Sequence, residues 1–203
     1  MNDLEIVDII NNNNIKKLVS ALESKKIDVN HRFMSLLGQP TLLMDAIYYE
    51  KKDMIITLLN YGADINAIDS NNYSAFTNAI MKRNIDILKL LVDRGCNINA
   101  PDRWNRTPLM MSIFFQDIKL TKYLIKIGCD QNGKDNNGRT LKSNIKCWFN
   151  YRQRKDIKNF IIITESLLHK CVKYIAKNRS KYDITVLNRD IIKLLNKFDE
   201  SNG

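Results

Sequence analysis

The sequence predicts an all-α solenoid of stacked helix–turn–helix units, on three observations. Gly62-Ala63-Asp64-Ile65-Asn66-Ala67 recurs as Gly95-Cys96-Asn97-Ile98-Asn99-Ala100 and, eroded, as Gly128-Cys129-Asp130-Gln131-Asn132-Gly133, at a step of 33 residues. Thr107-Pro108-Leu109 stands 33 residues after Ser74-Ala75-Phe76 and 66 after Thr41-Leu42-Leu43. Between these phrases, apolar residues return at helical spacing. A fixed period in this range marks stacked supersecondary units, each touching only its neighbours.

Residues 3–24 read as a degenerate opening unit, part of an N-terminal cap over about 1–30. Leu4, Ile6, Val7 and Ile10 predict a short first helix, broken by the Asn11–Asn14 run, since Asn favours turns. Ile15, Leu18, Val19 and Leu22 predict a second helix, with Lys16, Lys17, Glu23, Lys25 and Lys26 on its wet side. Asp28-Val29-Asn30 precedes Asp64-Ile65-Asn66 by 36, which places three extra residues in the link at about His31–Pro40. Regular units follow over about 41–67, 74–100 and 107–133. Their helices are expected near Leu42–Glu50 and Asp53–Asn60, Ala75–Lys82 and Ile85–Asp93, and Pro108–Gln116 and Ile118–Lys126. Pro108 suits a first helical position and Thr107 an N-cap. Gly62, Gly95 and Gly128 suit left-handed C-caps.

After Thr140 the pattern changes, because Lys142 falls where Leu43, Phe76 and Leu109 stand. Residues 141–203 read as an altered fifth unit followed by two basic helices, a stripe from Ile157 to Ile175 and Asp183–Phe198, that close the stack. This segment holds 14 Lys/Arg and 6 Asp/Glu, a net +8 of the chain's +10, and residues 1–140 supply the other +2.

The repeats resemble the ankyrin family, whose hallmark is Thr-Pro-Leu-His-x-Ala at this period. Only Thr107-Pro108-Leu109 keeps the first three residues, and no unit keeps the His. The resemblance covers residues 1–140 and implies β-hairpin loops between the helical pairs. Asn72, Asn105 and Gly138 fall where such hairpins carry Gly, and Asp69, Asp102 and Asp135 match a hairpin aspartate. Cys96 and Cys129 stand where the family carries Ala. Equivalent positions in stacked units lie ~8–10 Å apart, beyond disulfide reach, so both read as buried free thiols in a reducing, cytoplasmic setting.

No phosphate loop, paired catalytic groups or metal-ligand spacing is present, and no cofactor is implied. The resemblance instead implies protein binding on a concave face formed by hairpin tips and first helices. Carried onto this chain, that face holds Tyr48, Tyr49, Tyr73, Met81, Arg103, Trp104, Arg106, Phe114 and Phe115. Tyr, Trp and Arg dominate binding hot spots. The expected partner is a protein, with the chain a monomer or weak homodimer. Asn, Ile and Lys each exceed a tenth of the residues, a bias of A/T-rich viral and intracellular-bacterial coding sequences, where such proteins modulate host proteins. The alternative is nucleic-acid or anionic-surface binding through the basic C-terminal helices, with Arg152, Arg154, Lys155 and Lys158 as the anion-binding group. No stretch has the ~20 apolar residues of a membrane span.

Overall fold

The computed structural model describes residues 1–34 and 38–148. Among them the chain forms helices in pairs: α1 (Asp3–Asn11) with α2 (Ile15–Glu23), α3 (Leu42–Tyr48) with α4 (Lys52–Asn60), α5 (Ala75–Met81) with α6 (Ile85–Asp93), and α7 (Pro108–Phe114) with α8 (Ile118–Lys126). A ninth helix, α9 (Leu141–Trp148), opens the next unit. The described residues contain no strand; each of three hairpins is closed by one antiparallel bridge, Arg32 to Thr41, Ile68 to Ser74 and Lys134 to Thr140. The step from Thr41 to Ser74 is 33 but that from Arg32 to Ile68 is 36, so the three extra residues fall inside the first hairpin.

Side-chain oxygens start the helices. Thr41, Ser74 and Thr107 each accept the N–H three residues on, from Met44, Thr77 and Met110. This satisfies one of the donors that a helix N-terminus leaves without an internal partner. In the three regular pairs the first helix packs on its own second helix and on the first helix of the next unit, giving the row α3, α5, α7, α9. One apolar core runs the length of the stack. Ile6, Leu43, Phe76 and Leu109 fill one recurring position and Ile10, Ile47, Ile80 and Ile113 another, all with at most 1% exposure. A fully buried hydroxyl pair, Ser112 Oγ and Thr121 Oγ1 at 3.0 Å, ties α7 to α8 and satisfies both groups.

Two series of exposed-edge bonds join the units. On the outer loops, Asn30 Oδ1 accepts the Asp64 N–H, Asn66 Oδ1 that of Asn97, and Asn99 Oδ1 that of Asp130, at 2.7–2.8 Å. At the hairpin tips, the Ser70 N–H donates to the Gly38 carbonyl and the Asn136 N–H to the Trp104 carbonyl.

The structure adds detail to the expected elements at three places. Leu4 is 81% exposed, and Ile9, at 1%, takes the core place instead. Helix α1 has nine residues where α3 has seven, and Leu4 is one of its two extra N-terminal residues, beyond the core. The first helices of the regular units end one or two residues short of the expected limits, because Glu50, Arg83 and Gln116 adopt left-handed φ of 55°, 56° and 54°. Helix α9 keeps the register of its predecessors: Thr140 Oγ1 accepts the Ser143 N–H, and Leu141 and Ile145 are buried. Lys142, at the place of the missing leucine, is exposed, so the fifth unit is altered in composition and not shifted.

Positive φ at Gly62, Gly95 and Gly128, and at Asn72, Asn105 and Gly138, agrees with the turns expected there. The expected helices after 148 lie outside the described residues.

Candidate functional site

The hairpins are built around buried aspartates. Asp102 Oδ1 accepts the N–H groups of Trp104 and Arg106 at 3.0 and 2.9 Å. Asp69 does the same for Asn71 and Tyr73, and Asp135 for Asn137 and Arg139. These carboxylates fix the loop and leave the residues two and four further on to project. In the last two hairpins the second of these is Arg, which returns to the aspartate: Arg106 Nη2 lies 2.6 Å from Asp102 Oδ2, and Arg139 Nε 3.0 Å from Asp135 Oδ2. The earlier hairpin has Tyr73 at this place. Burial, reinforced by the Asp102 charge and opposed by Arg103 and Arg106, raises the Tyr73 phenol.

The Arg106 guanidinium, anchored on Asp102, lies 4.5 Å from the Trp104 ring centroid and 5.1 Å from that of Phe114. Trp104 meets Tyr73 edge-on at 6.5 Å, and Phe114 meets Phe115 at 5.7 Å. Arg83 lies 5.3 Å from the Phe115 centroid. Contacts therefore run unbroken from Tyr73 on one hairpin, through Trp104 and α7, to the turn after α5. A second group sits beside it: Tyr48 and Tyr49 pack edge-on at 5.2 Å, and Lys82 Nζ stands 3.5 Å over the Tyr48 ring. Arg103 covers Trp104 at 4.1 Å and donates to Asn71 Oδ1.

Of the residues expected on this face, Tyr48, Tyr49, Trp104 and Phe114 are 53%, 41%, 40% and 44% exposed. Arg103 is exposed, Arg106 half-buried, and Tyr73, Met81 and Phe115 pack partly against the core. Arg152, Arg154, Lys155 and Lys158 lie outside the described residues.

Sequence reasoning missed Arg83 and Asp45. Arg83 is at the turn also occupied by Glu50 and Gln116, one period away on either side, and that recurrence could have flagged it. Asp45 shares the face of α3 with Tyr48 and Tyr49 at the three- and four-residue helical spacings. It is half-buried, and loss of water raises its carboxyl to about 6.

Among the described residues no group of His, Cys, Asp or Glu could hold a metal ion, and no helix is long and apolar enough to cross a membrane. Cys96 and Cys129 are free and buried. The arrangement thus offers aromatic area and fixed cations on a rigid helical stack.

Helical pairs stacked at a fixed period, with hairpins projecting from one edge, define a repeat protein with a presented face. Residues 6–102 match the family model for ankyrin repeats in three copies, and this stretch of the chain is made of ankyrin repeats. Such repeats are generally protein–protein interaction modules. No curated protein matches the chain.

Proposed function

We propose that the chain is a non-catalytic binding protein whose concave face, centred on Trp104 and Phe114, holds a partner protein. The continuous contact path from Tyr73 through Trp104, Arg106 and Phe114 to Phe115 supports this reading. Aromatic anchors with ordered neighbours lose little freedom on binding and release water from a large apolar area. The Asn, Ile and Lys bias supports a viral or intracellular-bacterial source, in which the partner is a host protein.

The test is affinity capture from nuclease-treated lysate, with the full chain beside a Trp104→Ala/Phe114→Ala variant of unchanged thermal unfolding. A protein retained by the first and lost by the second supports the reading. Equal retention by both removes it.

The net +8 of residues 141–203 supports a separate reading, in which Arg152, Arg154, Lys155 and Lys158 hold phosphates. Such binding weakens steeply between low and moderate salt, whereas aromatic packing hardly responds.

A further inference from the structure

The cations of the concave face have an unusual set of neighbours. Arg106 and Arg139 are paired with Asp102 and Asp135. Lys82, Arg83 and Arg103 make no ion pair among the described residues; each stands over an aromatic ring, Tyr48, Phe115 and Trp104 respectively. A ring attracts a cation through its quadrupole but carries no net charge to cancel it. These three positions therefore hold oriented positive charge, in no ion pair among the described residues, beside exposed aromatic surface. The paired aspartates are buried, so they neutralise their own arginines and not the outer cations.

Resting on the protein-binding reading above, the geometry points to an acidic peptide segment of the partner as the occupant of this face, its carboxylates meeting Lys82, Arg83 and Arg103 and its apolar side chains lying on Trp104, Phe114 and Tyr48. Carboxylates match guanidinium groups bidentately, and complementary charge steers encounter and selects register. A polyphosphate backbone fits less well: Asp45 lies on the same surface, and Glu50 is exposed at the foot of α3, where Asn84 Nδ2 donates to it. A peptide can place an uncharged or basic residue there; a nucleic acid repeats its negative charge at every step.

The test is selection of random dodecapeptides on the full chain, on Lys82→Glu/Arg103→Glu and on Trp104→Ala/Phe114→Ala, each checked for unchanged thermal unfolding. A twelve-nucleotide oligo-dT serves as competitor. The expected result is enrichment of Asp and Glu by about threefold in peptides held by the wild type, reversed toward Lys and Arg by the charge-swapped variant. These peptides are lost from the aromatic variant and resist oligo-dT. Peptides that depend on Trp104 and Phe114 but show no acidic enrichment would overturn the acidic-segment inference and leave the binding face standing. Peptides indifferent to the aromatic substitutions, or no retained peptides, would remove both. Displacement by oligo-dT at equal concentration would assign the face to nucleic acid instead.

Discussion

Arg106 reaches the buried Asp102 carboxylate at 2.6 Å while the same guanidinium packs against the rings of Trp104 and Phe114. One side chain thus satisfies a loop-building acid and sets the position of two exposed aromatics. Arg106→Ala leaves a buried carboxylate with only its backbone donors, a cost of about 2–3 kcal/mol. Arg139→Ala, whose guanidinium is half exposed, costs under about 1 kcal/mol. Urea unfolding of the two variants checks the order, and equal costs would show that the Arg106 contact is not special.

Left-handed backbone supplies a second test. Lys25 and Gln116 have φ of 54°, a region that costs a residue with a Cβ about 1–2 kcal/mol. Lys25→Gly and Gln116→Gly relieve this at the expense of about 0.5–1 kcal/mol of extra chain entropy, for a net gain of up to about 1 kcal/mol each. Conversely, Gly95→Ala loses about 1 kcal/mol, although its new methyl group meets nothing within 4 Å. Denaturant midpoints of the three variants report the signs directly.

The pH dependence has a defined sign at Asp45. Its carboxyl is raised from 3.8 to about 6 by loss of water, so the folded chain binds more protons than the unfolded one between these values. Stability therefore falls as pH rises from about 4 to 6 and is flat above. Asp45→Asn should remove that slope and stabilise the protein at pH 7 by on the order of 1–2 kcal/mol, after allowance for partial exposure. Asn78 and Asn144 already occupy the same repeat position, so the amide suits the site. Asp3 works in the opposite direction: the Met34 N–H and His31 lower its carboxyl, and its contribution is lost as pH falls through that lowered value. The difference between the wild-type and Asp45→Asn melting curves at pH 5 and pH 7 isolates the Asp45 effect.

The buried thiols should resist modification. Burial pushes Cys96 from 9.0 up to about 12, which lowers its thiolate fraction on the order of a thousandfold, and it raises Cys129 as well. Peptide-resolved mass spectrometry after brief iodoacetamide treatment at pH 8 should find both unmodified in the folded protein and both alkylated in urea. Rapid labelling of either in the native state would show that the stack opens there.

The repeat architecture was legible in the sequence because every unit restates its core. Leu43, Phe76 and Leu109 repeat at 33, and so do Gly62, Gly95 and Gly128. The limits were less legible. Asn at 72 and 105 announces positive φ, whereas Glu50, Arg83 and Gln116 carry no such chemical signature, and the expected helices ran through Glu50 and Gln116 and up to Lys82. The spacing of Leu4, Ile6, Val7 and Ile10 marks a helix, but spacing alone cannot tell an apolar residue on the first turn from one facing a neighbour, and Leu4 faces solvent. The surface aromatics were visible as residues. Their partners were not: Lys82 over Tyr48 and Arg83 against Phe115 join side chains of neighbouring repeats, and only the packing of α3, α5 and α7 brings them together.

The two series of inter-repeat bonds tether neighbouring repeats at both edges of the stack. Asparagine amides join the outer loops, and at the hairpin tips peptide groups join Gly38 to Ser70 and Trp104 to Asn136, with the Arg103 side chain reaching Asn71 between them. Because the Trp104 carbonyl is itself a rung, gripped by the Asn136 N–H, a pull on the Trp104 backbone is shared with the adjoining hairpin. The Trp104 main chain is therefore held by its own Asp102 and by the neighbouring hairpin at once.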